Sequence, residues 1–350
     1  MKIALLNDTH FGVRNDSPVF QEYQNRFYRE LFFPYLEENN IKCLVHLGDV
    51  VDRRKFINHQ TAYNFQHKFW NKLTKMNIDT HIILGNHDTY FKNTNEVNAL
   101  EQLNVGPNVK IYSNPQEVVF DKLKILLLPW ICDDTYKESV NALKQSTAQI
   151  CFGHLEVKGF EMHTGFFNDH GLEKDLFKRF EKVISGHFHK KSDDGQIYYC
   201  GTQYEMTWND YKCPKGFHIF DTQTRELTRV PNPMRIFKKI YYNDKENDYY
   251  GKDVKEFNNT HVKLYVSVKN NEDMFEHFVN RLHSEIDLYE LSIIDDDTSD
   301  ITATVREDIL DQGEDTLTFL GNYIEQIDTD LDRKQLKDFV HRLYKEAQEW

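Results

Sequence analysis

The chain has 350 residues, 39% hydrophobic and 28% charged, with a formal net charge of -13 and a mean hydropathy of -0.68, a globular composition long enough for about two domains. No apolar run approaches the ~18 residues of a membrane span, and residues 1–8 are too short an apolar stretch for a secretory signal, so the expectation is a cytoplasmic protein with no membrane partner. Five cysteines (Cys43, Cys132, Cys151, Cys200 and Cys213) are odd in number and lack any Cys-x-x-Cys pair, which argues against both a disulfide framework and a thiolate zinc site.

Along the first 220 residues, short apolar runs rich in β-branched and aromatic side chains alternate with longer helix-compatible stretches, the pattern of an α/β layer structure. The runs at 3–6, 43–47, 81–84, 125–128, 150–152, 183–185, 197–200 and 217–220 predict strands, each followed by a turn residue. Residues 21–38 and 61–76 predict helices, with Phe27 and Leu31, then Phe65, Phe69 and Leu73, on one face. Pro231 and Pro233 mark a boundary after a domain at 1–230. A small α+β module follows at 231–294, with a strand at 261–268, a helix at 272–286 and a strand at 288–294. Residues 295–315 hold nine acidic side chains against Arg306 alone, the composition of a solvated linker, placed at 295–318. Helices at 319–350 close the chain, with Leu336, Phe339, Val340, Leu343 and Tyr344 in one apolar stripe. The acid is unevenly spread. Residues 1–240 carry 31 Lys+Arg against 29 Asp+Glu, and residues 241–350 carry 12 against 27, so the negative total does not exclude an anionic substrate for the first domain.

The chemistry collects where strands stop. Asp8-Thr9-His10, Gly48-Asp49-Val50-Val51-Asp52, Gly85-Asn86-His87-Asp88, Gly153-His154 and Gly186-His187-Phe188-His189 each follow a predicted strand, and ligands in open α/β sheets gather outside the carboxyl ends of strands. Carboxylate, imidazole and amide oxygen without thiolate suit borderline divalent ions such as Mn, Fe or Zn. Asp8, His10, Asp49, Asn86, His154, His187 and His189 exceed what one ion takes, so the expected count is two, with Asp49 as the bridging carboxylate. Any single fragment is weak; their conjunction in one order is what points to a metal centre.

That ordered set resembles the calcineurin-like metallophosphoesterases, and the compact spacing, Pro129-Trp130 and the terminal modules look like the SbcD-type double-strand-break repair nucleases, a group that includes the recombination endonuclease subunits of large tailed phages. The resemblance implies a four-layer α/β/β/α sandwich with a small α+β capping domain and C-terminal helices. It also implies two manganese ions, with Mg²⁺ as the other candidate, one held by Asp8, His10, Asp49 and His189 and the other by Asp49, Asn86, His154 and His187. His87, oriented by Asp88, would then serve the leaving oxygen, and Asp52 stands where the family carries His or Asp. The implied activity is exonuclease and endonuclease cleavage of double-stranded DNA ends. Arg53, Arg54, Lys55, Lys190 and Lys191 would contact the phosphate backbone, and the capping domain would contact DNA. The stripe from Leu336 to Tyr344 would dock on an SbcC-type coiled-coil ABC ATPase, in a heterotetramer built on a homodimer. A phosphatase or small-molecule phosphodiesterase on the same metal core is the alternative.

Overall fold

Alternation along the strands sorts apolar side chains onto two faces, and both faces are covered. The computed structural model describes residues 1–295 except 104, 164 and 165, together with positions 324, 332, 333, 336, 337, 339, 340 and 343. One six-stranded sheet contains β1 (Lys2–Leu6), β2 (Cys43–His46), β3 (Asp79–Ile83), β4 (Val109–Tyr112), β13 (Gly216–Asp221) and β14 (Leu227–Pro231), in the order β14-β13-β1-β2-β3-β4. The other contains β5 (Gln116–Phe120), β6 (Leu123–Leu128), β7 (Ile150–His154), β10 (Lys182–Gly186), β11 (Ser192–Asp193) and β12 (Ile197–Tyr199), in the order β11-β12-β10-β7-β6-β5. A short hairpin, β8 (Glu161–His163) with β9 (Phe166–Phe167), lies between β7 and β10 in sequence.

The odd residues Ile3 and Leu5 of β1 meet Ile125, Leu127, Ile150, Phe152 and Ile184 between the two sheets. The even residues Ala4 and Leu6 face outward, against Phe27, Phe32, Phe69 and Trp70. These rings come from helix 18–38 and helix 59–75, each of which widens by a π turn, at Tyr28–Phe32 and Phe65–Trp70. On the far side, Leu126, Leu128, Cys151 and Val183 pack under Leu143, Phe177 and Phe180. The layers therefore run helix, sheet, sheet, helix, and truncating one of the buried rings to alanine would cost about 3–5 kcal/mol. Parallel neighbours β1, β2 and β3, and likewise β6, β7 and β10, end on one side, where the turns that follow them converge.

A third sheet, β15 (Phe237–Asn243), β16 (His261–Val268) and β17 (Glu290–Asp295), is parallel throughout and carries helix Glu272–Ser284 on one face, with Phe278 and Leu282 buried against Leu264 and Tyr242. The helix ends two residues before the expected 286 because Glu285 caps it. All eight strands predicted in the first 220 residues overlap observed ones; of those not predicted, β4, β5, β11 and β14 are edge strands of the large sheets, and β8, β9 and β15 belong to the hairpin and the third sheet. Residues 296–318 of the expected linker lie outside the described residues, as do most of 319–350. Of the terminal stripe, Leu336, Phe339, Val340 and Leu343 are helical, with Phe339 and Leu343 exposed, and Tyr344 lies outside the described residues. No helix among the described residues is long and apolar enough to cross a membrane.

Candidate metal centre

Five turns bring the expected ligands to one place. Asp8 and His10 follow β1, Asp49 and Asp52 follow β2, Asn86, His87 and Asp88 follow β3, His154 ends β7, and His187 and His189 follow β10. The backbone is bent hard to do this. Asp8, His10, Asp49 and His187 sit at φ of 46°, 42°, 54° and 85°, a left-handed region that non-glycine residues seldom occupy and that clusters at functional sites. Gly48 and Gly85 allow the turns to touch: a Cβ on Gly85 would lie 2.2 Å from both the amide nitrogen and Oδ1 of Asp49. Amides cross-link the turns, with Asp8 N donating to the Gly48 carbonyl at 2.9 Å and His10 N to the Asp49 carbonyl at 3.2 Å.

Among the described residues, three groups of potential ligand atoms each lie within 4.8 Å of one another: Asp8, His10 and His189; His10, Asp49 and His87; and Asp49, His154 and His187. Asp49 and His10 link them into one cluster. Asn86 joins through its side-chain oxygen, 3.0 Å from His154 Nε2, and Asp49 Oδ2 is 3.3 Å from the same nitrogen. His10 Nε2 and His189 Nε2 face each other at 3.1 Å. Except for the half-buried His87, His187 and His189, these side chains are buried. Lone pairs so concentrated, two imidazole nitrogens nose to nose and several carboxylate oxygens, repel unless protons or cations sit among them. The donor set fits divalent metal ions.

Second contacts fix the ligands. His154 Nδ1 donates to the Leu47 carbonyl at 2.7 Å, so in the neutral ring that a metal takes, Nε2 carries the lone pair. The amide of His187 donates to both oxygens of Asp8, at 3.1 and 3.0 Å, and Asn7 Nδ2 adds a bond to Asp8 Oδ2 at 2.6 Å. Burial favours neutral rings, but at His10 contact with Asp52 and the charges of Asp49 and Asp8 outweigh it, raising the imidazole to about 9. At His154 burial is likewise outweighed, chiefly by Asp49, again to about 9. His187 is pushed down to about 3 by burial and by the charge of His154. Burial raises Asp8, whereas burial at Asp49 is overcome by His154 and His87, which hold it well below the carboxylate range.

The remaining expected residues divide. His87 lies edge-on to His10, ring centres 4.8 Å apart, and its Nδ1 donates to the Asp52 carbonyl at 2.6 Å. Asp88 acts elsewhere than expected. Its Oδ1 accepts from the amides of Val50 and Val51 at 2.8 and 3.2 Å, and its Oδ2 from Gly85 at 2.8 Å; the carboxylate ties two turns together, and the ring of His87 takes its orientation from Asp52. Asp52 Oδ1 also lies 3.3 Å from His10 Nδ1. Arg53 pairs with Asp16, Arg54 reaches Thr89 Oγ1 at 3.3 Å, Lys55 is exposed, Lys190 pairs with Glu161 at 2.6 Å, and the Lys191 ammonium sits 4.9 Å from the Tyr198 ring centre.

Lys215 was not foreseen. Fully buried at the foot of β13, its ammonium donates to Asp210 at 2.5 Å, to Thr202 at 2.6 Å and to the His189 carbonyl at 3.3 Å, pinning the turn that carries a ligand. Its only signal in the sequence is a lysine heading an otherwise apolar strand. Trp130, 5.1 Å from the His187 ring, walls the same side.

A phage T4 protein named exonuclease subunit 1 is 34% identical over 99% of this chain and 99% of its own length. A Staphylococcus saprophyticus protein named as a subunit of the nuclease SbcCD is 20% identical, covering 69% of this chain and 70% of its own. A solved archaeal phosphodiesterase aligns at 16% identity over 66% of this chain and all of its own, with a TM-score of 0.34, too loose a likeness to argue from. The family model described as calcineurin-like phosphoesterase matches residues 1–191, which hold every ligand of the cluster. The chain belongs to the calcineurin-like phosphoesterase family, and its activity is phosphoester hydrolysis.

Proposed function

We propose that this chain is a manganese-dependent DNA nuclease that hydrolyses phosphodiester bonds at double-stranded ends in recombination and repair. The observation that carries the proposal is the place of Asp49, which belongs at once to the group with His10 and His87 and to the group with His154 and His187; a carboxylate so shared suits two cations side by side. Imidazole, carboxylate and amide donors without thiolate favour manganese over calcium. Two relatives named as nuclease subunits support DNA as the substrate and a partner subunit, for which we propose a coiled-coil ABC ATPase bound by the C-terminal stripe, with the catalytic chain itself a homodimer. The sheet at 237–295 is proposed as a cap that contacts DNA, alongside Arg53, Arg54, Lys55, Lys190 and Lys191.

Bound cations would supply a water of lowered pKa and neutralise charge on the phosphate oxygens. The chain supplies the rest. Asp8, His10, Asp49 and His189 would hold one ion and Asp49, Asn86, His154 and His187 the other, with Leu47 and Asn7 fixing how His154 and Asp8 face them. His87, its Nδ1 committed to the Asp52 carbonyl, has Nε2 as the atom from which a protonated ring would give a proton to the leaving oxygen. Trp130 and the buried turns would limit water around the reacting ester.

The test is digestion of end-labelled linear duplex by the purified chain with Mn²⁺, Mg²⁺ or chelator, beside bis(p-nitrophenyl) phosphate, a phosphodiester without bases. Manganese-dependent cleavage of both is expected. Hydrolysis of the small ester with no cut in DNA, in the presence of the ATPase as well, would assign the site to a small-molecule phosphodiesterase.

A further inference from the structure

Two turns of the metal centre carry aromatic rings that the centre does not use. Phe56, four residues past Asp52, is 61% exposed, and Tyr90 and Phe91, three and four residues past His87, are 41% and 47% exposed. Tyr90 and Phe91 meet edge to face with ring centres 4.7 Å apart, and the Arg53 guanidinium stacks 4.3 Å from the centre of Phe56. The turns are joined at this rim, since Arg54 of one bonds Thr89 of the other and His87 bonds the Asp52 carbonyl.

The turn that carries Tyr90 and Phe91 is anchored. Tyr90 N donates to the Val97 carbonyl at 2.8 Å and Asp134 N to the Asn93 carbonyl at 3.1 Å. Asn95 Nδ2 bonds the carbonyls of Ser113 and Trp130, and Thr89 forms a bridge with Asn98. Large exposed rings on the two turns that also carry Asp52 and His87 mark a binding surface more often than leftover surface. What should lie against them follows from what the centre hydrolyses. A phosphodiester in a nucleic acid brings a base on either side, and an aromatic face with a stacked guanidinium is the platform on which an unpaired base rests, whatever its identity. Bases inside a duplex are already stacked and offer no face.

We propose that Phe56, Tyr90 and Phe91 form a stacking rim that holds unpaired nucleobases next to the scissile phosphate, so that the preferred substrate is a single-stranded or frayed end. This rests on the nuclease function proposed above and specifies the strand it acts on.

The test uses the full chain and a single-stranded oligonucleotide containing 2-aminopurine, with the same oligonucleotide made abasic at the labelled positions and a blunt hairpin for comparison. In chelator, binding to the wild type should quench 2-aminopurine, and the abasic oligonucleotide should bind about tenfold more weakly per base removed. Phe56→Ala with Phe91→Ala should lose the quenching and weaken oligonucleotide binding to a similar degree, while Phe91→Trp keeps both. With Mn²⁺, the ratio of oligonucleotide cleavage to bis(p-nitrophenyl) phosphate hydrolysis should fall at least tenfold in the double alanine variant. Equal binding of abasic and base-bearing strands by the wild type would overturn the proposal without recourse to any variant. So would alanine variants that turn a dimer into monomers with oligonucleotide binding intact, which would give the rings to an interface between copies. A wild type that hydrolyses the small ester but neither binds nor cuts any DNA would overturn the nuclease function and this rim with it, a result distinct from the first two.

Discussion

Replacing His87 by alanine removes a ring that bonds the Asp52 carbonyl and leaves the seven candidate ligands in place. The expected outcome is a fall in kcat of roughly 10²–10⁴ with two ions per chain retained by elemental analysis; loss of the ions with the activity would make His87 a ligand, as its grouping with His10 and Asp49 allows. Asp88→Ala should behave in the opposite way. Three buried amides lose their acceptor, at about 1 kcal/mol or more each, so thermal melting should drop by roughly 5 °C and bound metal should fall with it. A melt unchanged from wild type would show that the Val50, Val51 and Gly85 amides find other partners. The two neighbours also show what was legible at this scale. Side chains that chemistry demands at strand ends stand out as an ordered set of Asp, Asn and His after short apolar runs. A carboxylate that serves backbone amides, as Asp88 does, looks the same in sequence as one that serves a ring, and Lys215 acts through residues 26 and 13 positions away, a relation no local spacing displays.

At the level of elements, the turn after β3 depends on the absence of a side chain. Gly85→Ala places a methyl group 2.2 Å from Asp49, and because the obstacle is backbone and ligand together, relief requires moving the turn after β2. The variant should keep its sheets by circular dichroism yet lose metal and hydrolysis together; full metal content in folded Gly85→Ala would mean that the two turns part without disturbing Asp49. The strands on which these turns stand were readable for a physical reason. Central strands such as β1, β2, β7 and β10 are buried on both faces and written as continuous apolar runs. The edge strands β4, β5, β11 and β14 face water on one side, mix Lys110, Glu117, Asp193 and Arg229 into their lengths, and leave no such run. The same mixing hid β15, where the adjacent Lys238 and Lys239, one on each face, interrupt the apolar run.

For the molecule as a whole, the segment proposed for assembly carries no residue of the metal centre. Deleting residues 320–350 removes none of the ligands, so hydrolysis of bis(p-nitrophenyl) phosphate should persist, while co-elution with the ATPase subunit should be abolished; co-elution unchanged would place the docking surface elsewhere. An α/β layer structure was legible in the alternation of short apolar runs with helical stretches, whereas the four-layer order was implied by the family resemblance alone. The third sheet was legible in part, and the long acidic stretch only as composition. The ligands themselves come from both sheets. Asp8, His10, Asp49 and Asn86 belong to one, and His154, His187 and His189 to the other. Bound ions would therefore rivet the two halves of the sandwich along one rim. At free metal a hundredfold above its dissociation constant that rivet is worth about 2.7 kcal/mol for each ion, and it vanishes when the ion pool is drained. Scarcity of the metal would then shorten the life of the protein as well as silence it, because a sandwich unclasped along one rim is the form on which a protease gains its first hold.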